Sequence, residues 1–237
     1  IYGTRANAGV IIITTKKGSQ DRIRINYSGN LAVKDAYKRL AVMGAGEFRE
    51  AIAHQYPLGT TLGNAAQAMV NQYPEQSTDW QDEIFRTGWA TDQNISVAGK
   101  AYSIPFRVSL GYYVEKGTLK TSHYDRYTAS LNVSPKFLDE HLSVDANVKG
   151  TISKTRFAES GAVGAAAFFD PTKPVNNDSG RYNGYWTWET ATESNGMTLY
   201  YPNTLSSVNP LAMLEQYTNR GRTYRSLGNL QVDYKFH

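Results

Sequence analysis

With 237 residues, a net charge of +4 and its Lys and Arg scattered rather than grouped, the chain is one large domain or two ordinary ones and has no basic stripe for nucleic acid. No stretch reaches the roughly 18 consecutive apolar residues of a membrane helix, so a helical membrane protein is excluded. Hydrophobic residues at 41% and a mean hydropathy of −0.49 do not exclude a membrane β-barrel, which hides its apolar residues in alternate positions.

Residues 9–17, Gly9 through Lys17, are a β-branched run without a polar face and predict a fully buried strand closing a small sheet domain. The chain opens inside Ile1-Tyr2-Gly3-Thr4-Arg5, so targeting is not read directly. After Gly18 the pattern changes. Ile23, Ile25, Tyr27, Leu31 and Val33 alternate with polar residues and predict a strand over 22–34.

Residues 35–91 lose that alternation and hold helix-like pieces at 46–52 and 79–85, the second with Asp79 as N-cap and Asp82 and Glu83 in its first turn. Alternation returns at 92–101, 105–116, 123–134 and 141–155, then at 224–237. Over 141–153 it sets Leu142, Val144, Ala146, Val148, Gly150 and Ile152 against Ser143, Asp145, Asn147, Lys149, Thr151 and Ser153. Strands of that length suit a bilayer-spanning barrel better than a small soluble sandwich. Ile25, Val108, Leu110, Leu131, Val144, Val148, Val232 and Tyr234 are expected to face lipid. Asn26, Ser109, Asn132, Asp145, Lys149 and Asp233 are expected to face inward.

The connections alternate as well. The long segments 35–91 and 156–223 share one parity with Gly117–Ser122, and the short turns Tyr102–Ile104 and Pro135–Glu140 share the other. Outer-membrane barrels have this asymmetry, with short periplasmic turns and long extracellular loops. The fold class expected is therefore all-β, a membrane β-barrel with long helix-containing loops.

Residues with the pattern of a catalytic or metal centre are not found. His54, His123, His141 and His237 lack ligand spacing, and Gly44-Ala45-Gly46 lacks both the third glycine and the preceding strand of a dinucleotide site. No phosphate-binding loop or serine-hydrolase motif occurs, so neither an enzyme nor a cofactor is expected. The segment 161–169 reads as a short helix stopped by Pro171. One aromatic cluster stands out in the last long loop: Tyr182, Tyr185, Trp186 and Trp188. It is a candidate platform for substrate or for a partner protein, or it packs the loop onto its own rim.

Three segments carry a family resemblance. Ile1-Tyr2-Gly3-Thr4-Arg5-Ala6-Asn7-Ala8-Gly9-Val10, running on to Ile13-Thr14-Thr15-Lys16-Lys17-Gly18, resembles the plug end of SusC/RagA-type TonB-linked outer-membrane proteins, with Ala6-Asn7-Ala8-Gly9 in place of the usual A-N-G. Thr78-Asp79-Trp80-Gln81-Asp82-Glu83-Ile84-Phe85 resembles that family's T-D-W-x-D-x-x-F motif, and the stretch from Phe168 to Tyr182 resembles a third recurrent element.

The resemblance implies a plugged barrel of roughly 22 strands in the bacterial outer membrane. Residues 1–20 would be the C-terminal end of the plug, and 21–237 the first six or so strands with their extracellular loops. It implies TonB-dependent import of glycan oligosaccharides or peptides under a SusD-like surface lipoprotein. The TonB-ExbB-ExbD complex would supply energy through a segment not present in this sequence. Alternatives are a siderophore or vitamin receptor on the same barrel, and a soluble β-rich module that binds glycans through Tyr185, Trp186 and Trp188.

Overall fold

A computed structural model describes residues 22–236. The strand expected over residues 9–17 lies outside the described residues, as does the expected plug end at 1–20.

In chain order the strands are β1 (Arg24–Lys34), β2 (Gly88–Ala101), β3 (Ile104–Lys116), β4 (His123–Val133), β5 (Lys136–Phe137), β6 (Leu142–Phe157), β7 (Glu189–Ser194), β8 (Met197–Pro202) and β9 (Asn219–Tyr234). The helices are α1 (Ala45–Gln55), α2 (Thr61–Val70), α3 (Trp80–Ile84), α4 (Gly161–Phe168) and α5 (Pro210–Gln216). β1, β2, β3, β4, β6 and β9 pair in that order, every pair antiparallel, and β5 adds a short pairing to the start of β6. All six expected strands are present, and the fold class is all-β. β7 and β8 form a separate hairpin.

Register explains the alternation. One row across the sheet reads Ile25, Val97, Val108, Leu131, Val148, Gly228, and the next reads Tyr27, Ile95, Leu110, Ala129, Gly150, Ser226. The opposite face carries Asn26, Ser96, Ser109, Ser130 and Lys149. Successive side chains point to opposite faces, so a strand with period two builds one apolar and one polar surface. Among the described residues no second sheet packs against the apolar surface: Ile25 is 67% exposed, Leu110 55% and Leu230 68%.

A row of tyrosines bounds this apolar face at one end. Gln93, Tyr112, Tyr127, Ile152 and Tyr224 lie side by side, with Tyr112 and Tyr127 ring centroids 5.0 Å apart. At the other end lie Leu142 and Tyr234, with Phe236 two residues beyond Tyr234 and its ring 4.8 Å away. From Ile152 back to Leu142, at about 3.3 Å per residue, β6 covers roughly 33 Å. A strand tilt of about 40° makes that roughly 25 Å in height, which matches the apolar band of an outer-membrane barrel.

The ends of the sheet differ in the same way as the two parities of connection. Tyr102 and Ser103 make a two-residue hairpin turn with φ of 48° and 72°, the left-handed pair that suits the strand twist. The other short connection contains Leu138, Asp139 and Glu140, also at positive φ. The opposite end carries segments 35–87 and 158–218, with all five helices and the β7–β8 hairpin. No helix among the described residues is long and apolar enough to cross a membrane.

The hydrophobic core lies in these long connections rather than under the sheet. Trp80, Ile84, Ala162, Ala166, Phe169, Trp186 and Leu214 form one buried cluster from α3, α4, α5 and the loops between them.

Candidate functional site

The segment Thr78-Asp79-Trp80 works as a clamp. Asp79 caps α3, its carboxylate accepting from the Gln81 and Asp82 backbone N–H groups at 2.9 and 3.2 Å. Its neighbours reach across to the other long connection: Trp80 Nε1 donates to the Asp170 carbonyl at 3.0 Å, and Thr78 Oγ1 donates to the Lys173 carbonyl at 2.7 Å. The Thr78 N–H donates to the Pro171 carbonyl at 2.9 Å. The spacing therefore places one cap and three cross-loop donor groups in three consecutive residues. Asp170 holds the facing turn, accepting from the Thr172 N–H at 2.8 Å and its hydroxyl at 2.7 Å.

Lys173 is the least expected member of this region. It is fully buried, and its Nζ sits 5.8, 5.5 and 5.3 Å from the ring centroids of Tyr73, Trp186 and Trp188. The ammonium donates to the Met69 carbonyl and, at 3.4 Å, to the Gln72 side chain. Aromatic faces and carbonyl oxygens are what a desolvated cation needs. Burial lowers the Lys173 pKa, with Asp170 acting in the opposite sense and Arg49 adding to the lowering. Arg49 in turn donates to the carbonyls of Val70, Tyr73 and Gln76, fixing the turn that supplies Tyr73.

The four aromatic candidates separate into two pairs. Trp186 is buried, its ring T-shaped against Phe169 at 6.0 Å and Trp188 at 4.7 Å, and its Nε1 donates to the Tyr73 hydroxyl at 3.3 Å. Trp188 is half-buried beside it. Both line a cleft of about 900 Å³ together with Gln72, Tyr73, Asn176 and Asn203. Arg181 and Glu189 close one side of it, joined by two hydrogen bonds at 3.0 and 2.7 Å. The Arg181 guanidinium also stacks on Tyr200 at 4.1 Å.

Tyr185 turns its side chain toward α5, whereas Tyr182 meets α5 only through its backbone carbonyl and keeps its buried hydroxyl near Glu189. The Tyr185 hydroxyl pairs with Glu215, and the Tyr182 carbonyl accepts from Gln216 Nε2 at 2.9 Å. Burial and then the Glu215 hydrogen bond push the Tyr185 pKa up to about 12. Tyr182 and Asn183 both occupy left-handed backbone, with φ of 54° and 56°. That conformation is costly for a tyrosine and is held by what surrounds it.

Sequence reasoning missed Lys173, Asn209 and the Arg181–Glu189 pair. Asn209 caps α5 through Leu211 and Ala212 while its amide donates to the carbonyls of Val175 and Trp186, each at 3.0 Å. Asn209 followed by Pro210 is an N-cap and first-turn signal that the sequence did display. Nothing local marks Lys173 as buried. Among the described residues no His/Cys/Asp/Glu group suits a metal ion.

Comparisons with known proteins find relatives along the whole chain. TonB-dependent receptor SusC of Bacteroides thetaiotaomicron is 40% identical over 247 residues, covering all of this chain and 23% of that protein. TonB-dependent receptor P26 of Formosa agariphila is 25% identical over 240 residues, covering 99% of this chain and 22% of that protein. The chain spans about a quarter of the length of these curated relatives. Among solved structures, the RagAB peptide importer in its open-open state superposes with a TM-score of 0.62 at 19% identity, over 98% of this chain and 28% of that one. The closed-closed state gives 0.58 at 18% identity, over 89% and 26%. That likeness establishes the shared fold. No family profile matches the chain.

Proposed function

We propose a role that proceeds from one fact: this chain belongs to the SusC/RagA-type TonB-dependent receptors. The six long strands of its sheet form a section of the wall of a plugged outer-membrane barrel, with residues 1–20 as the end of the plug. The apolar face meets lipid and the polar face lines the lumen. Segments 35–87 and 158–218 lie together outside the cell, where they form part of the vestibule and the seat for a SusD-like surface lipoprotein. The protein imports a nutrient, an oligosaccharide or a peptide, with energy delivered by the TonB-ExbB-ExbD complex, and it acts by transport rather than catalysis.

The observation that carries this reading is the 900 Å³ cleft, which opens at the loop-bearing end of the sheet and is walled by Trp186 and Trp188. Ring faces of Tyr73 and Trp188 beside the amides of Gln72, Asn176 and Asn203 suit a hydroxyl-rich, uncharged ligand better than a charged one. Of the three charged residues along the cleft, Arg181 and Glu189 are joined to each other, and Asp178 is exposed to solvent. This favours an oligosaccharide over a peptide. Tyr185, at the α5 side, and the turn that carries Tyr182 contact the lid rather than the substrate.

Uptake by cells whose only copy of the full-length protein carries Trp188→Ala tests the cleft. Uptake of the cognate oligosaccharide falls by about tenfold, the equivalent of one lost ring contact of about 1.4 kcal/mol, while the amount of barrel in the membrane is unchanged. Unchanged uptake would leave Trp188 as packing alone, and uptake of oligopeptides in place of oligosaccharides would reverse the substrate assignment.

A further inference from the structure

Above the tyrosine row, the lipid-side face of the sheet changes from apolar to basic within two residues. The next row is Val114, Asp125, Lys154 and Arg222, and the one above it is Trp89, Lys116, His123, Arg156 and Arg220. All of these but Val114 and Trp89 line a cavity of about 550 Å³ that contains Arg86, Lys116, Lys154, Arg156, Arg220 and Arg222 but only one carboxylate, Asp125. Asp125 is 3.0 Å from His123 Nε2, and among the described residues that is the one ion pair inside the cavity. Arg156 Nε and Thr121 Oγ1 are buried there without hydrogen-bond partners. Six cations held together against one acid, with two orphaned polar atoms, form a site for an anion.

Directly below, the same face is hollow. Ala129, Gly150 and Ser226 make one row of small side chains between the tyrosines and the Leu131–Val148 row. They floor an apolar groove of about 770 Å³ bordered by Leu110, Tyr127, Ile152 and Tyr224. A Cβ added at Gly150 would meet nothing within 4 Å. Rows on one face lie about 7 Å apart, so groove, tyrosine row and basic cavity follow one another over the length of a single lipid.

We propose that β3, β4, β6 and β9 form a binding site for one phosphate-bearing membrane lipid of the outer leaflet. Its phosphate lies among Lys154, Arg156, Arg220 and Arg222, and one acyl chain lies in the groove over Gly150. A soluble anion would need the cations but not the groove, and a plain hydrocarbon contact would need the groove but not the cations. The adjoining pair selects a molecule with both. The site rests on the reading of this face as lipid-facing, and it is separate from the cleft at Trp188.

The test uses the full-length protein purified in detergent and measures lipid retention by native mass spectrometry. Wild type retains phosphorylated lipid A at least tenfold more than lipid A stripped of its phosphates. Lys154→Gln and Arg222→Gln each lower retention of the phosphorylated lipid about fivefold, the effect of one cation at an anionic membrane surface. Gly150→Leu lowers retention of both lipids alike. Heat-modifiable migration of every variant reads the barrel independently of lipid. Equal retention of the two lipids by an intact barrel would overturn this site alone, and loss of heat-modifiable migration in wild type would overturn the barrel reading along with it. Displacement of the lipid by inorganic phosphate at equal concentration would make it a free-anion site and overturn the proposal.

Discussion

The sheet and the long connections solve opposite problems. The sheet has regular alternation and long ladders, yet of its residues only Ala90 and Val114 belong to the buried hydrophobic set. The connections have little regular pattern, yet they hold Trp80, Ile84, Phe169, Trp186 and Leu214 in a common core. The first is stabilised by inter-strand hydrogen bonds and by an apolar surroundings supplied from outside. The second is built like a small water-soluble domain, with caps, a buried cation and edge-to-face rings. Regular sequence therefore marks the part that depends on the bilayer, and irregular sequence marks the part that folds around its own interior.

The largest expected effect breaks the loop core while sparing the wall. Trp80→Ala removes a ring in T-shaped contact with Phe169 at 4.6 Å and a donor to the Asp170 carbonyl. It destabilises the module by about 3–5 kcal/mol. Hydrogen exchange of α3, α4 and α5 amides should accelerate throughout, while the strands keep their protection and the barrel its heat-modifiable migration. Equal loss of protection in β3 and β6 would show that the two regions fold as one.

The wall is probed next. Arg at Leu110, on the apolar face, costs about 2–4 kcal/mol in bilayer unfolding titrations, whereas Arg at the adjacent Ser109 costs much less. Similar costs at both positions would contradict the assignment of faces.

The smallest effect is a pH dependence confined to the loop module. Burial lowers the Lys173 pKa, so the folded module holds that proton less tightly than the unfolded chain, and stability rises as pH climbs toward lysine's ordinary 10.5. Tyr185 acts oppositely. Its pKa is raised from 10.0 to about 12, so the stability it contributes is present below pH 10 and lost as pH climbs toward 12. Protection factors of the α4 and α5 amides, with the intrinsic base-catalysed rate divided out, should rise and then fall along that range. Lys173→Met should remove the first change and Tyr185→Phe the second, with the strands unaffected; a pH response that survives both substitutions would contradict these assignments.

How much of this was legible follows from where the physics is local. Strand alternation was readable because burial of one face is written in every second residue. The strand ends were read short where the apolar face stops: β2 begins at Gly88 and β9 at Asn219, because Arg220 and Arg222 lie above the apolar band and carry no alternation. Asp79 was readable as a cap from its own neighbours. The β7–β8 hairpin was missed even though Asn195-Gly196, at φ of 50° and 74°, is a strong hairpin signal. α2 was missed because Thr61–Val70 contains Gly63 and Asn64 and no charged residue to mark its ends. The burial of Lys173 was not readable at all. A lysine between Thr172 and Pro174 looks like a surface turn, and its cage comes from Tyr73, Trp186 and Trp188, the first of them far away in sequence. For the candidate site, the sequence offered the aromatic cluster but not its division into the cleft-lining Trp186 and Trp188, Tyr185 facing α5 and Tyr182 near Glu189.

The central claim is that both long connections stand on the outer surface of the cell above a membrane-spanning wall. Asn183 is exposed, at the tip of the turn between Arg181 and Gly184, and the chain contains no native cysteine. The direct measurement is labelling of Asn183→Cys, in the full-length protein on intact cells, by a membrane-impermeant maleimide. Labelling in intact cells equal to that in opened envelopes is the predicted result. Labelling that occurs only after the envelope is opened would contradict the account.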